Sequence, residues 1–217
     1  MTRREYWRRT GLFLVGLLIM SIGVAMTKHA SLGVTPISSM ANVFSERFPQ
    51  LSLGNYLVIW NLILILGQIF ILKNEFHWRE WIQLPISFLF GFFTDLGMSL
   101  VGGIHLNSYW ACLLFLALAT LVLALGVTLT VIADIFLNSA EAFVRAVTMK
   151  SKRNFGQCKI IFDISCVILS MACSLVFFSG HIIGTREGTL ISAIFTGYLV
   201  NRYVNYIGQP LAHWLKK

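Results

Sequence analysis

Residues 22–44, IGVAMTKHASLGVTPISSMANVF, and residues 125–147, LGVTLTVIADIFLNSAEAFVRAV, decide the fold. Laid on one another, they match Gly23 with Gly126, Val24 with Val127, Thr27 with Thr130 and Ala30 with Ala133. Each is the tail of an apolar run, then a polar break, then a short amphipathic segment. The likeness continues outward. Gly54 falls near Gly156, Asn61 near Asp163, and SFLFGFFTDL (87–96) matches SAIFTGYLVNR (192–202) through Gly91 and Gly197. Span, break, short helix, span, loop and span therefore occur in that order twice.

The composition says what surrounds these runs. Of 217 residues, 57% are hydrophobic and only 12% charged, against ~25% charged in an average soluble domain. Mean hydropathy is +0.75. A soluble chain of this size has too much surface to hide that apolar content, which excludes an ordinary cytosolic enzyme and a nucleic-acid-binding module. Six apolar segments approach the ~20 residues a spanning helix needs: 11–27, 56–72, 82–101, 109–133, 160–178 and 189–207. They run continuously without alternation, and in lipid their backbone must satisfy itself, so they read as helices. The N-terminal run has a counterpart later in the chain, so it reads as part of the fold and not as a cleaved leader.

Lys and Arg set the orientation. With the N-terminus cytoplasmic, that side collects Arg3, Arg4, Arg8, Arg9, Lys73, Arg79, Arg145, Lys150, Lys152, Arg153, Lys159, Arg202, Lys216 and Lys217; the other side has Lys28, Arg47 and Arg186. The expectation is an all-α polytopic membrane protein of six spans with both termini cytoplasmic. It is one membrane domain, 1–217, made of unit 11–101 and unit 109–207. An odd number of spans per unit inverts the second against the first, the arrangement of many secondary transporters.

The two breaks carry the candidate site. Thr35 can cap a short helix over 36–48 with Pro36 at its first position. Asn138 or Ser139 can cap one over 139–149, with Glu141 in its first turn. Helix starts of this kind bind anions or polar groups when they dip into a cavity. Thr35, Ser38, Ser39, Asn138, Ser139 and Glu141 are therefore the expected solute-binding residues, facing each other across a central site. Surface-lying amphipathic helices fit the same pattern. Asp95, deep in the third span with no base within a turn, is the expected coupling acid. Asp163 is a second candidate, though Lys159 four residues earlier offers an ion pair. Asn61 is its equivalent in the first unit.

Other chemistry is not signalled. The four cysteines and five histidines show no metal spacing, and no nucleotide-binding or nucleophile-elbow pattern occurs. No cofactor, metal or enzymatic activity is expected. The expected partners are membrane lipid and a small-molecule solute, with a homo-oligomer or a partner protein left open.

ASLGVTPISSM (30–40), LPISFLFGFFTDL (84–96), FGQCKIIFDISCV (155–167) and IIGTREGTLISA (182–193) resemble, in order, blocks of the YczE/YitT-like bacterial multipass membrane proteins. That resemblance implies an uncharacterised or transporter-like integral membrane protein of the bacterial plasma (inner) membrane, without supplying a substrate. The family's second break tends to carry a Pro-Gly-Glu-Gly-like stretch, of which only Glu141 persists here. The reading is a secondary transporter or permease component for a small polar or anionic solute. The alternatives are a passive channel and a non-transporting scaffold for a partner enzyme.

Overall fold

The computed structural model describes residues 1–151 and 153–216; Lys152 and Lys217, two contributors to the charge bias, lie outside the described residues. Eight α-helices follow in order: α1 Arg3–His29, α2 Pro36–Arg47, α3 Leu53–Leu72, α4 Gln83–Val101, α5 Tyr109–Ala133, α6 Ser139–Ser151, α7 Phe155–Phe177 and α8 Glu187–Lys216. Two 3₁₀ turns, Lys73–Glu75 and Trp78–Ile82, join α3 to α4. Among the described residues there is no strand.

Five helices are long and apolar enough to cross a membrane: α1, α3, α4, α5 and α7. The sixth expected span lies within the 30-residue α8, which is not among them. Asn201, Arg202 and Asn205 fall in its middle and dilute its apolar content. The terminal Trp7, Trp78, Trp81, Trp110 and Trp214 stay exposed, as interfacial aromatics do.

α1 is the hub. Phe13, Leu17, Met20 and Val24 are buried with Leu53, Leu57, Ile86, Phe90 and Leu123 from α3, α4 and α5. α1 and α5 run antiparallel: Arg9 donates to the Ala133 carbonyl at 2.9 Å, and Met26 packs with Ala119. Close approach needs glycine. A Cβ on Gly23 would lie 2.6 Å from Leu123 Cα, and one on Gly126 would lie 2.3 Å from Met20 N.

Local features recur under the shift that carries Gly23 onto Gly126. Met20 and Leu123, the partners of those two glycines, are equivalent to each other. Thr27 Oγ1 donates to the Val24 carbonyl and Thr130 Oγ1 to the Val127 carbonyl. Past the two helix ends, Ser31 and Asp134 both take left-handed backbone, φ 57° and 47°. Element packing recurs too. α1 packs on α4 as α5 packs on α8; α2 packs on α7 as α6 packs on α3; α2 lies on α3 as α6 lies on α7. The most extensive packing without a counterpart is that of α3 along α4, since α7 and α8 form no such seam among the described residues. α7 is consequently the least buried spanning helix, with 17% of its apolar window inside the molecule.

Candidate functional site

The short helices end the two breaks as the sequence predicts, spanning Pro36–Arg47 and Ser139–Ser151. Thr35 is the extended residue before Pro36, but its side chain makes no cap to the backbone. Instead its Oγ1 lies 2.6 Å from Ser38 Oγ, which donates back to the Thr35 carbonyl. Ser39 is fully buried, with its Oγ 2.7 Å from the Pro36 carbonyl and 3.4 Å from the carbonyl of Cys166. Cys166 is midway along α7, and Phe44 and Phe48 meet Phe177 at the end of α7. The start of α2 thus reaches the mid-depth of α7, while its C-terminus stays at the end of α7.

The start of α6 is held by α3 and α4. Asn138 Oδ1 accepts from Ser139 N at 2.8 Å. Ser139 Oγ meets Ser87 Oγ at 2.9 Å, and the Ser139 carbonyl accepts from Gln68 Nε2 at 3.1 Å. Gln68 and Gln83 exchange two amide hydrogen bonds of 3.0 Å. The matching place in the second half holds Ser170, whose Oγ lies 3.0 Å from Thr185 Oγ1. Both pairs are separated by 15 residues. Buried polar groups cost stability unless partnered, and these clusters partner each other inside an apolar body. Sequence reasoning missed Gln68, Gln83, Ser87, Ser170 and Thr185. The equal spacing of 68/83 and 170/185 was the available signal.

Glu141 is partly buried and accepts no hydrogen bond from the described residues. Burial pushes its carboxyl above the ordinary carboxylate range, and the Lys159 charge pulls it back. Asp163 pairs with Lys159, the helical ion pair its spacing offered. Asn61 is 3% exposed and its amide nitrogen lacks a partner. Asp95 accepts from Ser52 Oγ and, at 2.8 Å, from Gly54 N, so it clasps the start of α3 to α4. Beneath that clasp the helices nearly touch: a Cβ on Gly54 would lie 2.2 Å from the Gly91 carbonyl oxygen.

A cavity of about 680 Å³ separates α3 from α7 and is covered by α6. Its α3 wall is Trp60, Ile63, Leu64 and Gly67. Its α7 wall includes Phe162, Ser165, Cys166 and Leu169, which align with them in sequence when Gly54 is laid on Gly156. The wall is mainly apolar, and the buried Trp60 Nε1–H has no acceptor. None of the six expected solute-binding residues lines it. α2 and α6 do not pack on each other; the structure brings Thr35 to Ser38 and Asn138 to Ser139 but does not join the two starts.

Apolar helices of spanning length make this a multipass membrane protein. The chain belongs to DUF6198, a family of unknown function, whose model matches residues 7–205. No curated protein and no solved structure is matched.

Proposed function

We propose that the chain is a secondary transporter for a small polar or anionic solute, built from two inverted three-span units. α8 serves as the sixth span, both termini lie in the cytoplasm of a bacterial cell, and the likeness to YczE/YitT-like proteins fits this role. Support for the repeat comes from equivalent helices α1 and α5 crossing antiparallel, with equivalent residues in contact. That relation fits a twofold axis in the membrane plane.

One observation carries the transport reading. The α3–α4 seam is closed and clasped, while its counterpart between α7 and α8 is open. Gly54 and Gly91 are buried in the closed seam; their equivalents Gly156 and Gly197 each have nothing within 4 Å of a Cβ. Asp95 caps α3 at Gly54; its equivalent, Asn201, is exposed, and Asn154, preceding α7, makes no side-chain cap. Two like units in unlike states are what alternating access requires: one seam opens as the other closes.

Asp95 then couples the cycle. As a carboxylate it accepts two hydrogen bonds at the positive end of α3. Asn201 carries no charge, so only the α3–α4 seam has an acid to act through.

Proteoliposomes loaded with a solute library test this reading. The expected result is saturable flux that follows an imposed proton gradient and falls in Asp95→Asn and Glu141→Gln. Flux that neither saturates nor follows the gradient identifies a channel. A silent chain that co-purifies with a partner protein identifies a scaffold.

A further inference from the structure

A second cavity, of about 400 Å³, lies between the end of α1, the C-terminal half of α2 and the loop before α8. Its wall carries Lys28, Asn42, Glu46 and Arg186 beside Ser31 and Gly184. Asn42 is 3% exposed. Its Nδ2 donates to the Gly184 carbonyl at 2.9 Å, and its Oδ1 is buried with no donor. Only the amide nitrogen can meet a carbonyl, so that bond fixes which way the side chain points. A buried acceptor left without a donor is costly; it is a place prepared for an N–H or O–H.

Charges of both signs line the same cavity. Lys28 Nζ meets Ser45 Oγ at 2.6 Å and Glu46 Oε1 at 3.0 Å. Arg186 donates to the Ser31 carbonyl at 3.3 Å and to Glu187 at 3.1 Å. A guanidinium has five N–H donors, so these contacts leave it capacity for a carboxylate. Two cations facing an acid and an unmet acceptor suit a molecule that is itself both anion and donor.

We propose that this cavity binds a small amino acid or similar zwitterion, its carboxylate on Arg186 and Lys28 and its ammonium on Asn42 Oδ1 and Glu46. Residues 31–34 and 184–189 close the site together. Gly188 N donates to the Leu32 carbonyl at 2.8 Å. Gly33 takes φ +114°, and a Cβ there would lie 2.5 Å from Thr189 Oγ1. This site goes beyond the transport reading and does not depend on it.

The test is the melting temperature of the purified full chain in detergent, titrated with glycine, L-serine and L-glutamine. Binding to the native state raises it. The expected result is a saturating rise for these probes, with none for acetate or ethylamine, each of which carries half of the charge pattern. Arg186→Gln, a change at an exposed residue, is expected to melt as the native chain does without ligand. It is expected to weaken the serine midpoint about tenfold, and Glu46→Gln to weaken it in the same direction. The proposal is overturned if no zwitterion gives a saturating rise, if acetate matches serine, or if Arg186→Gln binds serine as tightly as the native chain. Binding is read without bilayer or gradient, so a chain that binds but does not carry removes only the transport reading.

Discussion

Gly126→Val is expected to abolish recovery of folded, monodisperse protein. A Cβ at residue 126 would lie 2.3 Å from Met20 N and 2.6 Å from Met20 Cα. These are backbone atoms of the hub helix, and no rotamer change relieves the overlap. The helices must part, and with them the layer of Leu17, Met20, Val24 and Leu123. Overpacking of this kind costs about 3 kcal/mol, a large share of a membrane domain's marginal stability. Gly11→Val is the control, since a Cβ there meets nothing within 4 Å. It is expected to leave the size-exclusion profile and melting temperature as they are. Equal profiles for the two variants would refute the α1–α5 crossing.

Gly197→Val is expected to do the opposite: leave folding intact and stop transport. Nothing lies within 4 Å of a Cβ at this position, and its neighbours Tyr198 and Phe195 are exposed. Read from the structure alone, the residue tolerates any apolar side chain. In the second state of the proposed cycle, however, Gly197 would take the place Gly91 holds here, where a Cβ would lie 2.6 Å from Val58 Cγ2 and 2.7 Å from the Gly54 carbonyl oxygen. A penalty of about 3 kcal/mol on that state alone lowers its population about a hundredfold. Uptake in proteoliposomes is therefore expected to fall by about that factor at unchanged melting temperature. Unchanged uptake would mean that α8 never closes on α7.

The α1–α5 contact was legible where apolar helices must touch closely. Gly23 and Gly126 align because each faces the backbone of the other's helix, and the aligned Thr27/Thr130 pair shares one hydrogen-bond pattern. The short helices were legible because Thr35–Pro36 and Asn138–Ser139 are local start signals, which need no tertiary information. The exchange of these helices, α2 onto α7 and α6 onto α3, was not legible. It is a long-range contact between apolar surfaces, and Leu, Ile and Phe carry no address. Asp95 drew attention as an intramembrane acid, but its partners Ser52 and Gly54 N lie 43 and 41 residues away, and one of them is a backbone group. The expectation of a site between the two helix starts rested on local symmetry. In the structure each start is occupied by its own polar cluster, and the open volume lies between α3 and α7. The 400 Å³ cavity went unseen because its charges come from three distant segments.

Disulfide cross-linking in native membranes tests the exchange of seams most directly, using a chain freed of Cys112, Cys158, Cys166 and Cys173. One pair, Ser52→Cys with Asp95→Cys, replaces side chains that already touch across the closed α3–α4 seam. The other, Asn154→Cys with Asn201→Cys, occupies the equivalent places at α7 and α8. Each pair alone is expected to cross-link, and with all four cysteines present the closure of one is expected to exclude the other. Failure of the Asn154/Asn201 pair to form under conditions that join residues 52 and 95, or closure of both pairs in one molecule, would contradict the account.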